Sequence, residues 1–248
     1  MTAQNIYDDA GFFEAYSGLL RQQHGLDGAP EWPTMRAMLP DSLDGKRVLD
    51  LGCGYGWIAR WAEANGASEV VAVDVSQKML DRAHEFDDEG RIVYVRADVD
   101  AYEPDGSFDI VVSSLTLHYL ARLDEVFERL AASLATSGRF VFTCEHPIYL
   151  APAEPRFVEG SAFPEWPVSR YHVEGERHAN WLGTTGVVKH HRKIDTYFRL
   201  LTDAGFVVTD LVEWGPSPDD LAAHPDWQIE LERPMILMIG ATVGSCQT

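Results

Sequence analysis

Residues 48–56 read VLDLGCGYG, in which Asp50 follows an apolar run and glycines occupy the alternate positions 52, 54 and 56. Glycine lets the backbone turn sharply, and it lets a ligand come close where a Cβ atom would intrude. Residues 57–64 can then form a helix. The stretch therefore predicts a buried strand, a tight loop and a helix, and the loop is either a ligand site or a plain strand-to-helix turn.

Short β-rich runs alternate with segments of helical period on both sides of this loop. The strand-like runs are residues 47–51, 70–74, 92–95, 108–113 and 139–143. Between them, apolar residues recur every three or four positions from Met79 to Phe86 and from Leu123 to Leu134. We expect Ser137 and Gly138 to end the second of these helices. Such alternation predicts an α/β fold, a Rossmann-like and mostly parallel sheet with helices on both faces.

The composition changes after Thr143, where prolines become frequent and helical or strand periodicity fades. We interpret residues 145–190 as a lid inserted after the fifth strand into a single domain of residues 1–248. Its aromatic residues are Tyr149, Phe157, Phe163, Trp166, Tyr171 and Trp181. Some of these rings are expected to face a substrate, although packing onto the core or a homodimer contact would use them equally well. Helical period returns over residues 194–204, and residues 206–212 and 235–239 predict two further strands.

The charge and the cysteines restrict the classes of partner and the compartment. Asp and Glu outnumber Lys and Arg by 39 to 20, for a formal net charge of -19. Such a field repels nucleic acid phosphates and anionic lipids, so neither nucleic acid nor membrane is expected as a partner. Cys53, Cys144 and Cys246 lie too far apart for a zinc motif or a disulfide framework, which favours a cytoplasmic location and no metal. Residues 1–10 have no apolar segment that would predict export.

Three polar positions follow the later strands at the sheet edge where ligands of open α/β folds bind. Asp74 ends the run VVAVD, close to the offset of about 20 residues at which a carboxylate meets ribose hydroxyls in nucleotide-binding folds. Asp98 follows the third strand and could accept a hydrogen bond from an adenine amino group. The turn of residues 113–119 follows the fourth strand. Together these positions favour the ligand interpretation of the glycine loop.

With these motifs the sequence closely resembles the class I S-adenosylmethionine-dependent methyltransferases, in particular the small-molecule branch called type 11. The resemblance extends roughly from Tyr7 to Ile239 and implies seven strands, the last one antiparallel. It also implies that the glycine loop holds the methionyl part of the cofactor, that Asp74 binds the ribose, and that Asp98 meets the adenine amino group. Met79 would pack on the adenine.

An N-terminal helix often covers the cofactor in the family that this sequence resembles, and Tyr16 and Arg21 would here cover it and reach its carboxylate. The cofactor-binding residues expected on these grounds are Tyr16, Arg21, Asp50, Gly52, Cys53, Gly54, Gly56, Asp74, Val75, Met79, Ala97, Asp98, Val99 and Ser114.

Two alternatives to a methyltransferase share parts of this pattern. A dinucleotide oxidoreductase would need a third glycine at position 57, where this sequence has Trp57. The carboxylate of Asp50 would repel a pyrophosphate, whereas it would attract the ammonium group of a methionyl cofactor. A protein that binds S-adenosylmethionine without transferring its methyl group would show the same motifs. The D/N-P-P-Y tetrad typical of enzymes that methylate base or amide nitrogens is absent, since residues 113–118 hold its place. The sequence thus favours methyl transfer to an O, N or C nucleophile of a small organic acceptor, with aromatic compounds and natural-product intermediates as candidates.

Methyl transfer needs a base only where the nucleophile must lose a proton, and three sites compete for this role. His118 follows the fourth strand and could act as base or form a wall of the cofactor pocket. Glu145 and His146 follow the fifth strand and could supply a base with a carboxylate that orients it, although Pro147 also suits a rigid turn. His190 and the next two residues are expected to form the solvated start of a late helix.

Overall fold

Nine strands lie in the part of the chain that the computed structural model describes, residues 4–87, 90–160 and 164–244. They are β1 (Arg47–Leu51), β2 (Glu69–Asp74), β3 (Ile92–Arg96), β4 (Phe108–Ser114), β5 (Leu134–Glu145), β6 (Gly175–Trp181), β7 (Thr184–His191), β8 (Phe206–Trp214) and β9 (Ile236–Val243). Seven of them form one sheet in the order β3-β2-β1-β4-β5-β9-β8. The first five strands pair in parallel, and β9 is antiparallel to both of its neighbours. The predicted Rossmann-like, seven-stranded and mostly parallel sheet is confirmed.

Nine α-helices accompany the strands within the described residues. They are α1 (Ala10–Ser17), α2 (Leu20–His24), α3 (Trp32–Ala37), α4 (Trp57–Ala64), α5 (Gln77–Glu85), α6 (Leu123–Ser133), α7 (Pro147–Leu150), α8 (Ile194–Asp203) and α9 (Pro218–Ala223). Alternate residues of β1 enter two separate cores, as the two-residue period of a strand requires. Leu49 packs with α6 and α8, while Val48 packs with α3, α4 and α5. Helices therefore cover both faces of the sheet, as the sequence predicts.

The boundary between α6 and β5 differs from the prediction. The helix ends at Ser133, and Leu134 already pairs with Phe108 of β4. Gly138 lies inside β5, where a Cβ atom would come within 2.6 Å of the Leu134 side chain. The expectation that Ser137 and Gly138 end the helix is therefore wrong, because the glycine serves a close approach inside the strand.

The segment between β5 and α8 begins with α7 and ends in the hairpin β6–β7, and its described residues between these elements form no further helix or strand. His190 and His191 belong to β7, where they pair with Glu176 and Gly175. The prediction that these histidines begin the late helix is wrong, because α8 starts at Ile194. Alternating side chains of the hairpin strand bury His191 and leave His190 half-buried.

Several rings of this segment pack onto the body of the protein. The guanidinium carbon of Arg233 lies 4.9 Å, 5.4 Å and 4.6 Å from the ring centres of Tyr149, Phe157 and Trp166. Cation–π contacts of this kind hold the irregular part of the segment beside the start of β9. Tyr171 contacts the ring of His191 instead. Phe163 lies outside the described residues.

Two of the three cysteines, Cys53 and Cys144, lie in the described residues, and both are buried free thiols. Burial raises the pKa of the Cys144 thiol to about 12, so this thiol stays protonated at neutral pH. Cys246 lies outside the described residues. No helix in the described part of the chain has the length and apolar character needed to cross a membrane.

Candidate active site

A cavity of about 610 Å³ opens at the carboxyl edge of the parallel strands. Its volume falls in the range of about 300–1,000 Å³ that is typical of small-molecule sites. It is lined by the segment before α3, the glycine loop, the ends of β2, β4 and β5, and the hairpin β6–β7. The predicted residues on its wall are Tyr16, Arg21, Asp50, Gly52, Cys53, Gly54, Asp74, Val75, Met79, Asp98, Val99, Ser114, His118 and Glu145.

The three glycines of the loop between β1 and α4 all adopt the left-handed conformation that favours glycine. Their φ angles are 72° at Gly52, 53° at Gly54 and 71° at Gly56. A Cβ atom on Gly52 would lie 2.0 Å from the Thr116 hydroxyl, whereas one on Gly54 would meet no atom within 4 Å. Since Gly54 lines the cavity, its missing side chain leaves room for a ligand beside the backbone.

Two buried carboxylates stand next to this loop. One oxygen of Asp74 accepts the Gly54 N–H and the other accepts the Ser76 N–H, each at 2.9 Å. Burial raises the pKa of Asp74 to about 6, and burial together with the Asp74 charge raises the pKa of Asp50 to about 7. The Oδ2 atom of Asp50 is buried and has no hydrogen-bond partner among the described residues. A positively charged ligand group would compensate these two acids.

The N-terminal segment of residues 4–31 covers the glycine loop. The guanidinium of Arg21 donates to Ser114 Oγ at 3.0 Å and pairs with Glu31. Trp57 donates from its indole N–H to Gln22 and packs closely against Gly25, where a Cβ atom would lie 2.9 Å from the ring. The bulk of Trp57, which sequence analysis used against a dinucleotide, therefore also supports this cover.

Residue Asp8 anchors the start of the same segment beside Asp74. Its Oδ1 atom accepts hydrogen bonds from Ser76 Oγ at 2.6 Å and from the Lys78 N–H at 3.1 Å. These bonds satisfy donors at the beginning of α5, as a helix N-terminus requires. The covering segment is thus attached at the strand end where Asp74 lies.

At the other end of the cavity, Glu145 at the end of β5 forms a buried ion pair with Lys189 of β7. The Lys189 Nζ atom lies 2.5 Å from Glu145 Oε1, with only 4% of the lysine side chain and 16% of the glutamate side chain exposed. The ammonium also lies 5.8 Å and 5.1 Å from the ring centres of Tyr119 and Trp181. The second oxygen of Glu145, Oε2, is buried without a hydrogen-bond partner among the described residues.

His118 is buried between these two ends of the cavity. Its Nδ1 atom accepts the backbone N–H of Glu145 at 3.3 Å, which leaves the proton of the neutral ring on Nε2. The Nε2 atom is 3.9 Å from Glu145 Oε1, too far for a hydrogen bond. Burial, with the charges of Lys189 and Arg192, holds the pKa of His118 well below its usual value. The imidazole is therefore neutral and has no free lone pair with which to take a proton.

Comparison with known proteins identifies the family. Residues 49–142 match the family described as a methyltransferase domain. The solved S-adenosylmethionine-dependent methyltransferase of Mesorhizobium loti is 46% identical, covers 88% of this chain and 100% of its own, and superposes with a TM-score of 0.83. The chain is a class I S-adenosylmethionine-dependent methyltransferase. It falls in the type 11 branch that the sequence resembles.

Two further proteins are similar to this methyltransferase over most of its length. A solved Listeria monocytogenes protein, provisionally assigned to the same class, is 34% identical, covers 88% of this chain and 99% of its own, and gives a TM-score of 0.79. A Haemophilus influenzae protein described as uncharacterized is 30% identical over 251 aligned positions, 96% of each chain. These similarities support an enzyme with S-adenosylmethionine as its cofactor, and they do not favour a dinucleotide oxidoreductase or a non-catalytic binder.

The side chains on the cavity wall suit S-adenosylmethionine chemically. The unpartnered oxygen of Asp50 suits an ammonium group, and Arg21 suits a carboxylate, so the methyltransferase offers both to a zwitterionic amino acid moiety. The open space at Gly54 allows close approach between them.

Three predicted site residues lie away from the cavity wall of the methyltransferase. Gly56 is the N-cap residue just before α4, and Ala97 packs against the core while its N–H donates to the Asp74 carbonyl. His146 is fully buried, accepts the Ile148 N–H on Nδ1 at 3.0 Å and contacts Glu213 through Nε2 at 2.8 Å. The prediction that His146 works with Glu145 is corrected: both of its nitrogens are engaged elsewhere, and it caps α7.

Sequence analysis missed Lys189, the partner of Glu145. The signal was present in the run TTGVVKHH, whose alternation buries residues 187, 189 and 191 on one side of β7. The prolines and aromatic residues that precede this run favour an irregular lid, and they hide its two-residue period. Tyr7 was missed as well; it lines the cavity, and its hydroxyl lies 3.3 Å from that of Tyr119.

Proposed function

We propose that this methyltransferase transfers the methyl group of S-adenosylmethionine to an O, N or C nucleophile of a small organic acceptor. The observation that carries this proposal is the extent of the cavity. It continues from the glycine loop to a chamber under the hairpin β6–β7, where the aromatic residues Tyr7, Tyr149 and Trp181 and the acids Glu145 and Glu176 lie on the wall. A chamber with aromatic walls and few charged groups suits a small molecule.

We assign the cofactor positions from the same wall. Arg21 would hold the carboxylate of the methionyl part and Asp50 its ammonium group. Asp74 would accept the ribose hydroxyls, since each of its oxygens bonds one backbone N–H and retains a lone pair. The adenine would lie near Met79, with Asp98 accepting from its amino group.

When bound, S-adenosylmethionine supplies a methyl group made electrophilic by a positively charged sulfur. The chain contributes position and exclusion of water, which can account for much of the rate of such a displacement. The N-terminal segment covers one end of the cavity and the hairpin β6–β7 covers the other. His118 serves as a neutral wall between them in this proposal.

A free small molecule fits the charge of the protein better than a macromolecular polyanion. The formal net charge of -19 opposes nucleic acid and anionic membranes as partners. We propose a cytoplasmic enzyme because Cys53 and Cys144 are free thiols, and a homodimer as its assembly.

Calorimetric titration with S-adenosylhomocysteine tests the cofactor site directly. We expect binding by the wild type, at least about tenfold weaker binding by Asp74→Ala, and wild-type affinity in Asp105→Ala, an exposed aspartate outside the cavity. Transfer of a radiolabelled methyl group to a panel of small amines, alcohols and phenols tests turnover. Binding of NADH in place of S-adenosylhomocysteine would contradict the proposal, and so would wild-type affinity in Asp74→Ala.

A further inference from the structure

We infer that the acceptor nucleophile is an amine that enters the cavity as a cation and docks its nitrogen on Glu145. This inference deepens the proposed function and rests on it. It is carried by the charge of the cavity wall, the unpartnered oxygen of Glu145, the position of that residue on β5 and the aromatic rings that line the same cavity.

The cavity wall is strongly acidic. The carboxylates on it are Asp50, Asp74, Asp98, Asp100, Glu145 and Glu176, whereas Arg21 is the single lysine or arginine among the described lining residues. Asp100 is occupied, because it accepts the N–H groups of Ala121 and Arg122. At the hairpin end, the charged side chains on the cavity wall are therefore Glu176 and Glu145, one oxygen of which pairs with Lys189. A carboxylate acceptor would be repelled there, and an ammonium would be attracted.

Glu145 offers one oxygen to a ligand. Lys189 engages Oε1 from outside the cavity wall, and the two atoms are 2.5 Å apart. The Oε2 atom is buried and without a hydrogen-bond partner among the described residues. A buried carboxylate oxygen without a donor is unfavourable, and an ammonium N–H at this point would satisfy it with a charge-assisted hydrogen bond.

The position of Glu145 on β5 places it in the same cavity as Arg21 and Ser114. Arg21 donates to Ser114 Oγ at 3.0 Å, and Thr143 Oγ1 lies 3.4 Å from the same hydroxyl. Glu145 follows Thr143 by two residues of β5, so it lies on the same face of the strand about 6.5 Å further along. Glu145 and the hydroxyl of Thr143, which contacts the Ser114 hydroxyl that Arg21 reaches, are therefore neighbours on one face of β5.

The rings at this end also suit a cation. Tyr7, Tyr149 and Trp181 line the same cavity as Glu145. Aromatic faces attract ammonium groups, and the Lys189 ammonium lies 5.1 Å from the centre of the Trp181 ring. The neutral imidazole of His118 adds no positive charge that would oppose a second cation.

The transfer step balances with Glu145 as the proton acceptor. The bound ammonium gives one proton to Glu145 Oε2 and becomes a free amine. Its lone pair forms the new bond to the methyl carbon, and the electron pair of the old bond stays on sulfur, which becomes neutral. The product is a methylammonium ion, and the proton on Glu145 returns to solvent when the products leave.

Sinefungin tests this inference without knowledge of the natural acceptor, because a carbon bearing a primary amine replaces the sulfonium and its methyl group. We expect Glu145→Gln to weaken sinefungin binding by at least about tenfold while S-adenosylhomocysteine affinity stays within about twofold, measured by calorimetry at constant pH. Glu159→Gln, an exposed glutamate of the same inserted segment, is the matched control and should change neither affinity. The double variant Glu145→Gln/Lys189→Met leaves no unpaired lysine, and it should show the same loss of sinefungin affinity.

An unchanged ratio of the two affinities in both Glu145 variants would overturn the amine assignment while leaving the proposed function intact. Failure of the wild type to bind S-adenosylhomocysteine would instead overturn the proposed function. A second experiment compares 2-phenylethylamine with 3-phenylpropionate as ligands of the enzyme saturated with S-adenosylhomocysteine. The amine should bind and the carboxylate should not; equal or tighter binding of the carboxylate, or binding of neither, counts against the inference.

Discussion

The Glu145–Lys189 pair makes a quantitative prediction for folding stability. At 2.5 Å the gross attraction is roughly 6–7 kcal/mol for an effective dielectric constant of about 20, and desolvation of the two groups offsets much of it. Removal of one partner leaves the other charge buried, at a cost of about 3–5 kcal/mol in comparable pairs. Because Glu145 keeps 16% of its side chain exposed, we expect the lower end, about 3 kcal/mol, for Lys189→Met.

The assay is a double-mutant cycle read by urea-induced unfolding. Lys189→Met and Glu145→Gln should each lower the free energy of unfolding by about 3 kcal/mol, whereas the double variant should lie close to the wild type because no unpaired charge remains. The exposed pair Lys46–Asp109 gives the control, since 41% and 32% of its side chains are exposed and Lys46→Met should cost less than about 1 kcal/mol. A cost below about 1 kcal/mol for Lys189→Met, or additive costs in the double variant, would refute the reasoning.

Three other perturbations follow from the cavity and its cover. Asp50 has a folded pKa of about 7, above the ordinary 3.8, so its contribution to stability is complete below about pH 4 and is lost as the pH rises through 7. We expect Asp50→Asn to raise the unfolding free energy of the ligand-free protein at pH 8 by up to about 4 kcal/mol and to remove the loss of stability with rising pH. An unchanged dependence of the unfolding free energy on pH would contradict this prediction. Gly54→Ala should cost about 1–2 kcal/mol of stability, and so should the control Gly90→Ala, because Gly90 has a similar φ of 62°. Only Gly54→Ala should abolish S-adenosylhomocysteine binding in calorimetry. Arg233→Met should speed proteolytic cleavage between residues 151 and 174 by about tenfold, because the three rings around it lose their cation, and a wild-type cleavage rate would argue against that contact.

Local sequence was sufficient for the sheet and for the glycine loop at one end of the cavity. The two-residue and 3.6-residue periods mark β1, β2 and their helices because each strand and helix shows its buried face within a few consecutive residues. The glycine loop is predictable for the same reason, since its left-handed backbone needs glycine whatever surrounds it. Asp74 follows because it ends a strand that the pattern already locates.

The residues at the hairpin end of the cavity could be brought together only by the tertiary structure. Glu145 and His146 are neighbours in sequence, yet only Glu145 lines the cavity, and His146 turns to Glu213 and caps α7. Lys189 reaches Glu145 across 44 positions of chain, through a hairpin that the sequence pattern did not separate from its surroundings. The spacing of apolar side chains and the positions of glycines determine the backbone conformation within a few consecutive residues. The pairing of charges between distant segments is decided only when the sheet and the hairpin pack together and exclude water.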